Sequence, residues 1–332
     1  MFVNNIENNI VQSDSNGQNK VGVVIVNWND LENTRDCLKS LLNQRYRDLE
    51  IIVIDNGSKD GSADLLQEEF QGLTIIRLSE NTGFVGGNNY GIRIGLKRKC
   101  SYFLLLNNDT VVDSNLIGEM IKVTSSNPRC GIVTPKIYYF EKPNRIQSAG
   151  SLFSLWSGIA QMRGRKNLDY GQFDKVEEVP YGSGCALLIK TELINSIGLM
   201  DEVFFAYAED IDWSIRARNA GYSILYAPLA KVWHKEDFGW RKKHNQSLRF
   251  YLSSRNGLLL MHKHGKWFQW FSFVPNYLIN WIGRFIIIAI FRKDGRSALA
   301  ALEGIIGFWR IVKRNQDWFE KEKLIIEKYS KA

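Results

Sequence analysis

The sequence predicts an α/β fold, a mostly parallel sheet with flanking helices, followed by a basic, aromatic helical extension. Two observations carry this. Between Val21 and Leu106, short apolar runs alternate at regular spacing with amphipathic stretches, the pattern of βαβ units with right-handed crossovers. After His234 the texture changes, and charge segregates with it: Lys231 to the end holds 20 Lys+Arg against 8 Asp+Glu, while residues 1–230 hold 23 against 27.

The elements follow in order. Asn4–Asn19 is polar and predicts a frayed arm over residues 1–20. Val21–Val26 (VGVVIV) is apolar without alternation, as in a strand covered on both faces. Asn33–Leu42 places Cys37, Leu38, Leu41 and Leu42 at the spacing of a helix face. Glu50–Ile54 is a second buried strand, ending in the turn-forming Asp55-Asn56-Gly57-Ser58. Ser62–Phe70 predicts a helix, Leu73–Leu78 a strand, Phe84–Leu96 a glycine-containing helix and Tyr102–Leu106 a fourth buried strand. From Gly131 to Pro180 the periodicity weakens, and a mixed region with short strands is expected. Gly182-Ser183-Gly184 is a turn that lets backbone approach a ligand, and Cys185–Ile189 is a buried run. A turn and a helix occupy Asp201–Gly221, and a last strand, Tyr222–Val232, leads to Trp233-His234. The expected division is an arm at 1–20, an α/β domain at 21–236 and a helical region at 237–332.

With 45% hydrophobic and 23% charged residues among 332, disordered and fibrous classes are excluded. The four cysteines show no CxxC or Cys/His metal spacing and fit small buried thiols in a reducing compartment. The N-terminus lacks the basic start and apolar core of a secretory signal.

Ligands bind outside the carboxyl ends of parallel strands. The polar clusters there, Asn27-Trp28-Asn29, Asp55-Asn56 and Asn107-Asn108-Asp109, are expected along one edge. Asp109 is the oxygen ligand a hard cation wants when a substrate diphosphate supplies the rest; Asp and Asn also suit an ordinary turn there. Asp55 is placed to accept a hydrogen bond from a ribose hydroxyl or a base imide, or to close a turn. Glu209-Asp210-Ile211-Asp212 crowds three carboxylates at a helix start. That complements a helix dipole, but it also tunes a carboxylate toward a general base. His234, at the last strand's end, is either structural or a second metal ligand. The glycines of Asn81–Asn89, Gly86 among them with Asn88 nearby, offer backbone amides to phosphate or close helix packing. Their spacing is not that of a dinucleotide fingerprint.

Six segments together resemble glycosyltransferase family 2, of the Rossmann-like GT-A fold: VGVVIVNWN, LEIIVIDNGSKDGS, ENTGFVGGNNYGI, YFLLLNNDT, VFFAYAEDIDWSIRARNAGY and AKVWHKE. GFVGGNN and LLLNNDT are similar to the bacterial rhamnosyltransferase-like branch, as is the Arg-Asn segment HNQSLRFYLSSRNGLLL. The resemblance implies an inverting, single-displacement transfer from a nucleoside diphosphate sugar to an acceptor hydroxyl, that of a saccharide or, if the tail faces a membrane, of a polyprenyl-linked acceptor. Asp55 would hold the nucleotide base, with Asn27, Asn29 and Asn56 beside it. Asp109 and His234 would bind Mn²⁺ or Mg²⁺. Asp210 would be the general base, Glu209 would position the acceptor, and Gly182, Ser183 and Gly184 would lie under the sugar. The family's metal motif often has Asp where Asn107 stands; an amide removes a negative charge, and Asn107 with Asn108 would contact the donor instead.

Trp267–Phe291 is apolar but broken by Pro275, Asn276, Asn280 and Arg284, short of the about 20 uninterrupted residues of a spanning helix. Trp267, Trp270, Tyr277 and Trp281 suit a membrane interface, and Arg241–Lys243, Lys263, Lys266, Arg292, Lys293 and Arg296 flank them. This fits helices lying on an anionic cytoplasmic leaflet, a helical cap or a homodimer contact. A catalytically inactive nucleotide- or carbohydrate-binding module is the alternative function. Nucleic-acid binding is disfavoured by the tail's long apolar runs and the net acidity before it.

Overall fold

The computed structural model describes residues 19–235, 246–286, 294–313 and 318–330. The arm at 1–18, basic residues Arg241–Lys243, Arg292 and Lys293, the end of the apolar stretch at 287–291 and the side chains of Trp281 and Arg284 lie outside that description.

The first half alternates as the sequence predicts: β1 (Val21–Asn27), α1 (Leu31–Leu42), β2 (Leu49–Asp55), α2 (Ser62–Glu69), β3 (Thr74–Arg77), α3 (Gly83–Lys97) and β4 (Tyr102–Asn107). Strand β1 pairs in parallel with β2 and β4, and β2 with β3. The register sets Asn27 opposite Asp55 and Val26 opposite Asn107, so the three polar clusters share one edge. The strands lack alternation because both faces are covered. Val24, Ile52, Ile54 and Leu105 enter one core, and Val23, Ile25, Val53 and Leu104 the other.

Next come β5 (Thr110–Val112), α4 (Leu116–Ser125), β6 (Cys130–Tyr139), β7 (Lys142–Ser148), the hairpin β8 (Ser151–Ser154) and β9 (Ile159–Met162), β10 (Glu177–Glu178), β11 (Ala186–Lys190), α5 (Thr191–Ile197), a 3-10 turn (Glu202–Phe204), α6 (Glu209–Asn219) and β12 (Ser223–His234). The sheet order is β10-β12-β6-β11-β4-β1-β2-β3. Strand β11 runs antiparallel to both neighbours, β4 and β6, and β12 is parallel to β6. Where short strands are expected, β6 is ten residues long and wholly buried. Lys136, 2% exposed, breaks its hydrophobic pattern and is neutralised by Asp169 at 2.9 Å and Asp174 at 2.5 Å. All four cysteines are buried and no disulfide joins them.

Helix α3 lies close on the sheet because Gly87, Gly91 and Gly95 recur every fourth residue on one face. A methyl group at Gly87 would stand 2.9 Å from Val26; at Gly91 it would overlap Val24, and at Gly95 Phe103. Beyond the sheet lie α7 (Gln246–His264), α8 (Trp270–Ile286), α9 (Gly295–Lys313) and α10 (Trp318–Ser330). Leu259, Leu260, Phe308 and Ile311 of α7 and α9 enter the core shared by Val24 and Leu105. Among the described residues no helix is long and apolar enough to cross a membrane.

Two helical glycines should respond oppositely to alanine. Gly91→Ala meets Val24, and overpacking costs about 1–3 kcal/mol. Gly118→Ala in α4 meets nothing within 4 Å and gains up to about 1 kcal/mol of helix propensity. Urea denaturation checks both; a stabilised Gly91→Ala would contradict the close helix–sheet contact.

Candidate active site

The floor of the site is a network of amides and hydroxyls at the strand ends, gathered around the carboxyl group of Asp55. Asn27 is inaccessible. Its amide nitrogen donates to Asp55 Oδ1 and Ser62 Oγ, both at 2.8 Å, and its oxygen accepts from Thr34 Oγ1 at 2.7 Å. Thr34 Oγ1 accepts from Asn108 Nδ2 at 3.0 Å. Asp55, 3% exposed, also accepts from the Ser58 amide at 3.2 Å. Asn56 accepts from the Thr82 amide and hydroxyl, each at 2.9 Å, and donates to the Gly83 carbonyl at 2.9 Å. Asn27 and Asn56 therefore lie beneath the surface with their amides engaged by protein. Asn29 is exposed, in a left-handed conformation (φ 50°), and accepts from the Lys59 amide at 2.7 Å. Asn88 is buried and donates to the Phe84 carbonyl at 2.8 Å. A methyl at Gly86 would meet Thr82 at 2.6 Å. The glycine-rich helix start is thus occupied largely with packing.

Asp109 follows β4 in the tight turn to β5. Strand β5 pairs antiparallel with β12, Thr110 opposite His234, and this register brings His234 Nε2 to 3.0 Å from Asp109 Oδ1. The other ring nitrogen, Nδ1, is 3.0 Å from Gln147 Oε1 on β7. Burial opposes a charge on the imidazole, but the adjacent Cys185 sulfur and Asp109 carboxylate outweigh it and hold the ring well above its usual range. With Nδ1 facing the Gln147 oxygen, Nε2 is directed at the Asp109 carboxylate. Gln147 is the carbonyl partner that ligating histidines require behind them. The 3.0 Å spacing is that of neighbouring ligands in an octahedral shell with bonds of about 2.1 Å. Among the described residues no set of three His, Cys, Asp or Glu is placed to hold a metal. These two side chains would hold a hard cation only together with oxygens supplied from elsewhere, as by a substrate diphosphate.

The turn before β11 connects this pair to the acidic cluster. Gly182 is packed on Leu187 and Thr134, and Ser183 is buried. The Gly184 amide donates to Asp210 Oδ2 at 2.9 Å. One residue on, the Cys185 carbonyl accepts from the Asn107 amide at 2.9 Å, while its thiol lies against His234. A methyl at Gly184 would stand 3.5 Å from both Asp210 Oδ2 and Glu209 Oε1, so both carboxylates face one spot.

The three carboxylates of α6 occupy different environments. Burial, reinforced by the charge of Asp210, pushes Glu209 well above the carboxylate range. Its Oε2 is buried without a hydrogen-bond partner among the described residues. Asp210 is also raised by burial, moderated by the amides of Gly184 and Ile211. Asp212 is inaccessible. Burial opposes its charge, but His264 at 2.8 Å, Lys263 at 2.7 Å and Arg216 at 2.9 Å hold it at about 2. Sequence reasoning missed Thr34, Ser62, Gln147 and Cys185. Each reaches the site through a long-range contact that no local spacing announces.

The profile of Glycosyl transferase family 2 matches residues 22–198, more than half of the chain. The chain belongs to glycosyltransferase family 2. The poly-beta-1,6-N-acetyl-D-glucosamine synthase of Staphylococcus aureus (strain COL) is 27% identical over 211 residues, 62% of this chain and 47% of that protein. Its counterpart in Staphylococcus epidermidis is 26% identical over 229 residues, 68% and 52% respectively. The chain spans about half the length of the curated relatives it matches. Among solved structures, GalNAc-T7 with UDP, GalNAc and Mn²⁺ has a TM-score of 0.58 at 18% identity, over 78% of this chain and 51% of that one. The mannosyltransferase PcManGT of Pyrobaculum calidifontis, with GDP-Man and Mn²⁺, has a TM-score of 0.54 at 13% identity, over 92% and 84%. These likenesses show the fold alone.

Glu209 provides a pH test. Its folded-state affinity for a proton exceeds the unfolded one, so its contribution to stability is complete below the ordinary carboxylate range and is lost as pH rises. Glu209→Gln removes that loss. Urea denaturation at about pH 5 and about pH 8 should show wild type losing more stability than the variant; parallel losses would contradict a buried, neutral Glu209.

Proposed function

We propose that the chain is an inverting glycosyltransferase. It moves a sugar from a nucleoside diphosphate sugar to a hydroxyl of a saccharide or lipid-linked glycan in cell-surface polysaccharide synthesis. The observation that carries this is the Gly184–Cys185 segment, which touches Asp210 on one side and the Asp109–His234 pair on the other. A cation site and a raised carboxylate thus flank one stretch of backbone, as displacement of a diphosphate by a hydroxyl requires.

In this reading Asp109 and His234 hold Mn²⁺ or Mg²⁺, with imidazole favouring Mn²⁺. The cation, when bound, neutralises charge on the departing diphosphate. Asp210 takes the proton of the acceptor hydroxyl, and its raised affinity for protons suits a base working near neutrality. Glu209 stays neutral beside it, donates a hydrogen bond and orients the acceptor. Asp55 and Asn29 form the nucleotide side, with Asn27 and Asn56 fixing them from below. Asn107 and Asn108 border the donor, Gly86 and Asn88 serve the packing of α3 instead, and Gly182, Ser183 and Gly184 run under the sugar. Segments similar to the rhamnosyltransferase-like branch make dTDP-rhamnose the first donor to test, and the N-acetylglucosamine polymer named for the staphylococcal relatives makes UDP-N-acetylglucosamine the second. With either donor, Asp210→Asn should lower kcat by about 10²–10⁴-fold and leave donor affinity unchanged. Asp109→Ala should abolish the Mn²⁺ dependence of donor binding by calorimetry. Retained turnover in the first variant, or an intact metal response in the second, overturns the corresponding role.

The same proposal divides the chain into a catalytic unit, 21–236, and a helical region, 237–332, that rests on the inner face of the cell membrane. It is supported by an exposed aromatic and aliphatic surface. Trp267, Phe271 and Ile279 are 76%, 75% and 71% exposed, and Trp156 of the β8–β9 turn meets the Phe268 ring at 5.6 Å. On α9, Leu299, Leu302, Ile306 and Trp309 are exposed at helical spacing. Lys263 and Lys266 lie at the end of α7 and just beyond it. A polyprenyl-linked acceptor would be met at such a surface. The protein should co-sediment with phosphatidylglycerol-rich vesicles, and the triple variant Trp267→Ser/Phe271→Ser/Ile279→Ser should remain in the supernatant. Equal sedimentation of both would remove this face as the membrane contact, and a fall in oligomer mass would assign it to a dimer.

A further inference from the structure

The turn that delivers Glu209 and Asp210 is strained. Phe205, Tyr207 and Ala208 all have positive φ, at 62°, 68° and 73°, a region that non-glycine residues enter at a cost and leave unless surroundings hold them. The holding groups come from α7. Arg255 Nη2 donates to the carbonyls of Val203 and Phe204, each at 2.8 Å. Asn256 Nδ2 lies 3.0, 2.8 and 2.7 Å from the carbonyls of Phe204, Ala206 and Tyr207. Both side chains are wholly buried. Arg255 Nε also donates to Asn256 Oδ1 at 2.8 Å, which locks the two together. Behind them Arg255 pairs with Glu322 of α10, and Tyr251 OH donates to the same carboxylate at 2.6 Å. From the opposite side the Phe205 carbonyl accepts from the Val85 amide of α3 at 3.0 Å. Further along α7, Lys263 and His264 grip Asp212, two residues past Asp210. One helix therefore holds the chain on both sides of the acidic pair.

We propose that Arg255 and Asn256 are positioning residues for transfer. They hold residues 203–207 in the one conformation that sets Asp210 against the Gly184 amide. This rests on Asp210 being the base. A guanidinium buried only to fill space is costly, and apolar residues of similar volume serve as well or better. Here its planar fork and the neighbouring amide are directed to four backbone carbonyls of the turn, those of Val203, Phe204, Ala206 and Tyr207, a task that needs several fixed donors. The Arg-Asn dipeptide of the extension is thereby part of the active site's support.

The test uses the full chain with Mn²⁺ and, in parallel, dTDP-rhamnose and UDP-N-acetylglucosamine as donors. Asn256→Ala removes the amide; Arg255→Gln/Glu322→Gln removes the guanidinium and its counter-charge together, which avoids stranding either one. Circular dichroism gives the folded fraction, calorimetry the donor affinity, and kinetics kcat, KM and the pH–rate profile. Both variants should lower kcat per folded molecule by 10–100-fold and leave donor affinity within twofold. The acid limb of the pH–rate profile should move, because the surroundings of Asp210 change. Arg255→Lys should recover little, since a single ammonium cannot reproduce the fork. Unchanged kcat and pH profile in folded variants would overturn the proposal and leave Arg255 and Asn256 as supports of the fold alone. Failure of both variants to fold would overturn it in the same way. If Asp210→Asn itself keeps its turnover, the base assignment has failed and the holding role falls with it. A dead Asp210→Asn with fully active Asn256→Ala fails the holding role alone.

Discussion

The hydrogen bond from the Gly184 amide to Asp210 ties the chemistry of this fold together, and it exists because β11 runs against its neighbours. In a parallel sheet every strand exits at the ligand-binding edge, and every strand enters at the far one. An antiparallel insertion reverses that order. Ala186 pairs with Leu106, so the residues just before β11 arrive where β4 departs. A parallel strand in that place would enter beside Tyr102, with Gly184 and Cys185 at the wrong end of the sheet. The reversal lets two consecutive residues touch the acidic helix and the Asp109–His234 pair.

Around that contact the carboxylates are sorted by their surroundings rather than by type. Asp212 is fully compensated by His264, Lys263 and Arg216 and stays ionised. Glu209, one turn edge away, has none of these partners and is driven toward its neutral form. Asp210 sits between the two cases, buried yet given two amide donors. Pairs of carboxylates pushed apart in proton affinity are how acid and base roles become distinct at one pH. The separation depends largely on α7, since Lys263 and His264 beside Asp212 and the groups holding the preceding turn come from that helix, while Arg216 lies in α6 itself.

The parts of this arrangement visible in the sequence are those governed by periodicity. Unbroken apolar runs announced β1, β2 and β4, and a parallel sheet then obliged Asn27, Asp55 and Asn107 to share an edge. Strand β6 escaped because Lys136, paired inside the core, looks like a loop residue until Asp169 and Asp174 are seen beside it. The glycines of α3 were ambiguous between phosphate binding and packing; the spacing of Gly87, Gly91 and Gly95 shows a face pressed on Val24 and Phe103. Asn27 was visible as a strand-end polar group, but its saturation by Thr34, Asp55 and Ser62 was not. Hydrophobic pattern reports which face is buried. It says nothing about which buried polar atoms meet across 28 or 35 residues of chain, still less across the 52 between Arg255 and Val203.

The network under the site has one more property. Asn27, Thr34, Ser62, Asn56, Thr82 and Asn108 carry no charge in any accessible state, and they pass hydrogen bonds between the ends of three strands and two helices. Fixed dipoles respond to neither acidity nor ionic strength, whereas ion pairs respond to both. Apart from the carboxyl group of Asp55, which Asn27 holds, this scaffold is therefore electrically quiet. Acidification acts instead on the titratable groups beside it, Glu209, Asp210 and His234, while the amides and hydroxyls beneath keep their contour.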